Sequence, residues 1–94
     1  MNKTAAVKEK KKQRAITNNL KKLRKQIETI ESNIDKIDER IKEIEDIFCQ
    51  NDIYDDPQKI LQLNEELENL NAEKNSLYSD WEDKQLEYED FDKN

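Results

Sequence analysis

The sequence predicts an all-α fold, a two-helix antiparallel coiled-coil hairpin with a flexible basic N-terminal segment, and three observations carry the prediction. Of the 94 residues, 43% are charged and only 33% hydrophobic, which is too little apolar surface for a compact globular core and suits long amphipathic helices. The apolar residues recur in a strict alternation of four and three over two stretches of similar length. The only proline stands between those stretches, behind a cluster of turn formers.

The chain divides into a basic linker over 1–13, read as disordered, a helical hairpin over 14–91, and a short tail over 92–94. Within the hairpin the first helix is expected over about 14–48. Its seam is Ile16, Leu20, Leu23, Ile27, Ile30, Ile34, Ile37, Ile41, Ile44 and Phe48, with no polar interruption. Taking Leu20 as heptad position a makes Leu23, Ile30, Ile37 and Ile44 position d. Isoleucine is tolerated rather than favoured in helices, so packing and not propensity selects these side chains.

The turn is expected over about 49–56, where Cys49 to Asp56 breaks the heptad pattern. Asp56 reads as the N-cap of the second helix and Pro57 as its first residue. A carboxylate there accepts the orphan N–H groups of the first turn, and proline lacks a donor where none is needed. The second helix, about 57–91, has the seam Ile60, Leu63, Leu67, Leu70, Lys74, Leu77, Trp81, Lys84, Tyr88 and Phe91. Two lysines interrupt it.

Two nearly equal arms around a short turn form an antiparallel pair, each about 48 Å long at 1.5 Å per residue. Matching a with d allows two registers one heptad apart. A helix starting at Pro57 favours the one that sets Ile44 by Ile60, Ile37 by Leu67, Ile34 by Leu70, Leu23 by Trp81 and Ile16 by Tyr88. Antiparallel packing brings g against g, and Asn19, Gln26, Asn33 and Arg40 then face Glu66, Glu73, Asp80 and Glu87, so no acid is forced against an acid. A single long helix in a parallel dimer fails on two counts. The first seam continued by sevens misses Ile60 and Leu67, and Pro57 inside a helix costs about 3 kcal/mol or more. A monomer follows, because the hairpin covers its own seam.

Composition excludes most chemistry. Without glycine there is no Gly-rich phosphate loop, and without histidine and with only Cys49 there is no ordinary zinc site, intrachain disulfide or His-based triad. No metal site, catalytic residue or cofactor is expected in the chain itself. One unpaired cysteine suits a reducing cytoplasm. No apolar run approaches the roughly 20 residues of a membrane span, and Met1 to Lys12 lacks the apolar core of a signal peptide, so a membrane partner is not expected.

The net charge of −6 hides a strong asymmetry. Residues 1–25 hold Lys3, Lys8, Lys10, Lys11, Lys12, Arg14, Lys21, Lys22, Arg24 and Lys25 against Glu9 alone, so the remainder carries more than the whole negative charge. Clustered lysine and arginine bind phosphate backbones, which makes Lys8, Lys10, Lys11, Lys12, Arg14, Lys21, Lys22, Arg24 and Lys25 the candidate nucleic-acid-binding residues. The competing account is internal neutralisation, because the favoured register sets Lys21, Lys22, Arg24 and Lys25 level with Asp80, Glu82, Asp83 and Glu87. Lys8 to Arg14 lie beyond that pairing. Ile53 and Tyr54 mark the tip of the arm, where Tyr54 either packs over the hairpin end or meets a partner.

The remaining candidates read as structural. Lys74 and Lys84 are expected to send their heads to acids on the flanks. Trp81 and Tyr88 are expected to pack against Leu23 and Ile16, and Cys49 reads as a small apolar residue.

The turn and second helix resemble the C-terminal coiled-coil domain of ABC-F ATPases of the Uup type. Ile53-Tyr54-Asp55-Asp56-Pro57-Gln58-Lys59-Ile60 carries the likeness, followed by Leu63, Glu66-Leu67, Leu70, Ala72-Glu73, Leu77-Tyr78 and Trp81-Glu82. The match covers roughly 14–89, and its specificity lies in the acidic turn, the tryptophan and the two equal arms together. The resemblance implies a C-terminal piece of a larger cytoplasmic ATPase whose two upstream cassettes use ATP and magnesium. It also implies action on ribosomes, in translation or antibiotic protection, and DNA binding by the tail domain in the Uup branch. The expected partners are therefore the ribosome, RNA or DNA, and the chain's own upstream cassettes. The alternative is a protein–protein interaction coiled coil with no nucleic-acid role. An enzymatic reading is weaker: Leu23-Arg24-Lys25 followed by Ile34 to Ile41 looks like the first helix of a helical chorismate mutase. That site needs several further cations, and beyond Lys42 only Lys59, Lys74, Lys84 and Lys93 remain.

Overall fold

The computed structural model describes the backbone of residues 3–93 and the side chains of 7–91. Helix α1 runs Lys3–Phe48, a 3₁₀ turn follows over Asn51–Asp55, and helix α2 runs Pro57–Lys93. The two helices lie antiparallel in a rod of 82 × 17 × 15 Å.

Helix α1 is longer than the heptad seam alone requires. It begins at Lys3 rather than near Arg14, so the segment expected to be a disordered linker over 1–13 continues the helix; residues 1 and 2 of that linker lie outside the described residues. Ala, Lys, Gln and Glu are strong helix formers, and neither Gly nor Pro occurs before Pro57 to stop them. Helix α2 likewise continues through Lys93, and of the expected tail over 92–94 only Asn94 lies outside the described residues. At its start the Asp56 carboxylate accepts a hydrogen bond from the Lys59 backbone N–H at 3.1 Å, which is the N-cap geometry that precedes a proline at the first helical position.

The buried core is the seam of α1: Leu23, Ile27, Ile30, Ile34, Ile37 and Ile44, joined by Ile53 and Leu63. Ile44 is completely buried and lies at the centre of a cluster with Ile53 and Leu63, with Ile47, Phe48, Ile60, Leu67 and Leu70 packed around it. The sequence reading sets Ile53 at a contact tip. Instead the 3₁₀ turn folds it inward, 4% exposed, as a plug over the end of the seam.

That plug changes the register. The first turns of α2 are spent on covering the 3₁₀ segment, so α2 meets α1 one heptad away from the favoured alignment. Arg24 touches Tyr88, Glu31 touches Trp81 and Asp38 touches Lys74. These contacts step by seven residues along both helices and define one register, which sets Ile44 by Leu67, Ile34 by Leu77 and Leu23 by Tyr88. Trp81 and Tyr88 therefore do not pack at the levels of Leu23 and Ile16. Both are only partly buried, and each uses its polar edge: Trp81 Nε1–H donates to Glu31 Oε1 at 3.2 Å, and the Tyr88 hydroxyl accepts from Arg24 Nη2 at 3.0 Å.

One bidentate pair joins the arms near the tip. Arg40 Nε donates to Glu66 Oε1 at 2.7 Å and Arg40 Nη2 to Glu66 Oε2 at 3.0 Å, while Nη1 reaches Glu43 at 2.9 Å. Both belong to the g positions, where heptad logic puts Arg40 among acids. The hydrogen bond from Arg40 holds the Glu66 carboxyl below its ordinary value of 4.5, against the opposing effect of partial burial, and Glu66 and Glu43 raise Arg40 in return.

The packing has two measurable consequences. Ile44→Ala should lower unfolding stability by about 2–5 kcal/mol in urea titration, because it leaves a void at a fully buried site, whereas Leu61→Ala, at a position 61% exposed, should change it by no more than about 0.5 kcal/mol. The Arg40–Glu66 pair depresses a carboxylate, so its stabilisation is present above the ordinary glutamate value and disappears as pH falls through the lower folded value. Thermal melts of wild type and Glu66→Gln should therefore differ near neutral pH and converge only in acid, once the pH has fallen below the depressed value of the Glu66 carboxyl.

Candidate functional site

The basic side chains described from Lys8 to Lys25 all lie on α1. Lys8, Lys10, Lys11, Lys12 and Arg14 are exposed. Near this end Phe91 of α2 lines a hollow with Glu9, Lys12, Gln13 and Ile16, which puts the last turns of α2 beside this part of α1. The helix of 46 residues against one of 37 carries its cations past its partner.

Internal neutralisation, the competing account for Lys21, Lys22, Arg24 and Lys25, is not what the geometry shows. The shift of one heptad takes Glu82 and Asp83 away from these residues, while Asp80 and Glu87 remain across a hollow from them without an ion pair to them. Among the described residues, the ion pairs are Arg40 with Glu43 and Glu66, Lys74 with Asp38, and Lys84 with Asp80. Lys21, Lys22 and Lys25 take part in none of them. Arg24 alone is engaged, through the Tyr88 hydroxyl, with its guanidinium 6.0 Å from the ring centroid. That hydrogen bond raises the guanidinium above its ordinary value.

Lys22 and Lys25 instead border a hollow of about 520 Å³ floored by Ile30 and Thr29 and closed on the α2 side by Asp80 and Lys84. Lys84 reaches Asp80 at 3.6 Å, and Lys74 pairs with Asp38 across the seam, which raises its ammonium above the ordinary lysine value. Both seam lysines thus keep their stems along apolar surface and their heads on flanking acids. The sequence pattern identifies this behaviour; the partner of Lys74 depends on the register.

At the tip the two candidate residues part company. Ile53 is interior, while Tyr54 is 71% exposed and does not pack over the hairpin end; Leu61 is also largely exposed. Cys49 is exposed and unpaired. Among the described residues no cluster of His, Cys, Asp or Glu is arranged to hold a metal ion, and no helix is long and apolar enough to cross a membrane.

Residues 18–83 match the family model described as ABC transporter C-terminal domain. No curated protein matches the chain, and no solved structure does. The matched span takes in the seam from Leu20 to Trp81 and the tip, but not Lys8 to Arg14.

Because Lys21, Lys22 and Lys25 make no ion pairs, replacing all three with Gln should leave the unfolding stability within about 0.5 kcal/mol of wild type, the range of surface substitutions away from specific contacts. Urea titration at low salt checks this; a decrease of several times that size would restore the internal-neutralisation account.

Proposed function

The chain belongs to the ABC transporter C-terminal domain family, and from that premise we propose that this arm of an ABC protein is a non-catalytic, monomeric binding arm that contacts nucleic acid, as ribosomal RNA or DNA, through its basic end. The observation that carries the reading is the row of cations on α1 from Lys8 to Lys25, none of which forms an ion pair among the described residues of the hairpin, Arg24 being held by the Tyr88 hydroxyl alone. Such lysine and arginine side chains at one end of a rod are the electrostatic footprint of a phosphate-binding surface, and the acidic remainder of the chain orients that end toward a polyanion and the rest away from it.

The resemblance to Uup-type ABC-F ATPases supplies the setting. In that setting the parent is cytoplasmic, ATP and magnesium belong to upstream cassettes, and the hairpin takes no cofactor of its own. Lys8 to Arg14 precede the family-matched span while Lys21 to Lys25 fall within it, which supports a contact on the side of the hairpin toward the implied cassettes. A protein partner at the tip is the second reading, and the exposure of Tyr54 and Leu61 favours it.

The test is binding of a short duplex or single strand as salt is varied. Replacing Lys8, Lys10, Lys11, Lys12 and Arg14 with Gln should weaken binding and reduce the slope of log affinity against log salt by roughly 0.7 to 0.9 for each phosphate no longer neutralised. Loss of binding only when Lys21, Lys22, Arg24 and Lys25 are replaced would move the interface to the hairpin's side. Absence of binding at about 50 mM salt, where phosphate contacts are strong, would leave the protein-interaction reading.

A further inference from the structure

The contacts that hold the observed register repeat on the same seven-residue spacing that separates the two alignments the heptads allow. Helix α1 presents Arg24, Glu31 and Asp38 to Tyr88, Trp81 and Lys74. If α2 slides one heptad toward the base, Lys74 and Trp81 each meet the next member of the α1 series, while Tyr88 leaves Arg24 for Thr17. Lys74 passes from Asp38 to Glu31 and keeps an ion pair. Trp81 passes from Glu31 to Arg24 and exchanges an acceptor for its indole N–H for a cation over its ring.

The seam is equally indifferent to the slide. In the observed register Lys74 lies level with Ile37 and Lys84 with Ile27; after it they lie level with Ile30 and Leu20, so two lysine layers are present either way. The apolar layers pair Ile, Leu or Phe of α1 with Leu, Ile, Trp, Tyr or Phe of α2 in both. The packing pattern does not separate the two alignments, but one flanking pair does: the slide takes Glu66 from Arg40 to Asn33 and brings Lys59 level with Arg40.

Apart from that pair and the Arg24–Tyr88 hydrogen bond, the tip distinguishes them. Ile53 is 4% exposed between Ile44 and Leu63. After the slide Ile60 stands beside Ile44 and Leu63 beside Ile41, so the space that Ile53 fills is taken, and residues 49–56 must cross as an open loop. What opposes the slide is the bidentate Arg40–Glu66 pair, the burial of one side chain, and a few turn hydrogen bonds, Ile53 N–H to the Gln50 carbonyl at 3.3 Å and Asp56 N–H to the Ile53 carbonyl at 3.1 Å.

We infer that the hairpin has a second register one heptad away, and that Ile53 is the latch that holds it in the observed one. The slide carries α2 about 10 Å along α1 at 1.5 Å per residue. It brings the acidic stretch 87–90 from alongside residues 21–24 to alongside residues 14–17, where it shields the cations of the basic end. Tyr54, exposed and next in sequence to the latch, is the handle by which a contact at the tip releases it. A tip contact and a contact at the base are then coupled through one rigid sliding helix, and each biases the register the other prefers. The effect on the base rests on the nucleic-acid reading of that end; the latch itself does not.

The experiment measures the slide directly. Spin labels on Asn18→Cys and Ala72→Cys, both exposed positions, in a Cys49→Ser background, give the axial offset of the two helices by pulsed electron paramagnetic resonance. With the native tip one distance is expected. Ile53→Asp, which expels the latch, should add a discrete population shorter by about 10 Å. Asp38→Lys leaves tip and core untouched, repels Lys74 in the observed register and leaves it Glu31 in the other, so it should produce the same shorter population. If both variants stay helical and keep the single long distance, the second register does not exist. Broadening without a discrete shorter peak, together with loss of cooperative melting, would show that the arms separate instead of sliding, and would also overturn the proposal. Neither readout involves nucleic acid, so failure of binding and failure of the latch are told apart.

Discussion

Burial of Ile53 against Ile44 and Leu63 is the constraint on which the rest of the hairpin depends. An antiparallel pair of heptad helices has no internal reason to prefer one alignment over its neighbour, since each slide by seven returns apolar residues to apolar residues. The loop decides. By turning Ile53 inward, the 3₁₀ segment uses the first turns of α2 as its own cover, and the meetings of Asp38, Glu31 and Arg24 with α2 are displaced accordingly, while Arg40 still meets Glu66. Asp38 with Lys74, Glu31 with Trp81 and Arg24 with Tyr88 are consequences of where the tip begins.

The arms are unequal in what they contribute. Helix α1 supplies most of the buried seam, a row of isoleucines uninterrupted by polar side chains, while α2 answers with leucines, two lysines and aromatics that keep a polar edge in solvent. Near the tip the packing is purely apolar and ends in complete burial of Ile44. Toward the base the seam takes in Lys74, Trp81, Lys84 and Tyr88, whose heads leave for flanking groups.

Charge is sorted along the same axis. The bidentate pair of Arg40 with Glu66 and the pairing of Lys74 with Asp38 use cations from the middle of the hairpin, while the cations from Lys8 to Lys25, Arg24 aside, are left over. Exposed pairs of this kind contribute little to stability, so the structure gains little by neutralising its basic end. A cationic surface outside the ion pairs of the hairpin is available for a partner, and the family to which the chain belongs places such a hairpin on an ABC protein.

The two helices, their antiparallel arrangement and the turn between them were all legible in the sequence, because each is a local property. Heptad spacing defines an apolar stripe wherever the helix lies, Asp56 and Pro57 start a helix through their own backbone chemistry, and the basic bias of the first residues is a matter of composition. The flanking acids for Lys74 and Lys84 and the g-position meeting of Arg40 with acid could be anticipated as types of contact. What local pattern could not supply was the register, because two alignments satisfy it equally, and with the register went the levels of Trp81 and Tyr88 and the fate of Lys21, Lys22 and Lys25. The inward turn of Ile53 is likewise tertiary: nothing in Ile53-Tyr54 says which of two adjacent apolar side chains faces the core. Even the start of α1 at Lys3 reflects a balance between helix propensity and like-charge repulsion that residue order alone leaves open. A one-dimensional pattern with a seven-residue period fixes positions only up to a multiple of that period, and it took the three-dimensional closure of the tip to choose among them.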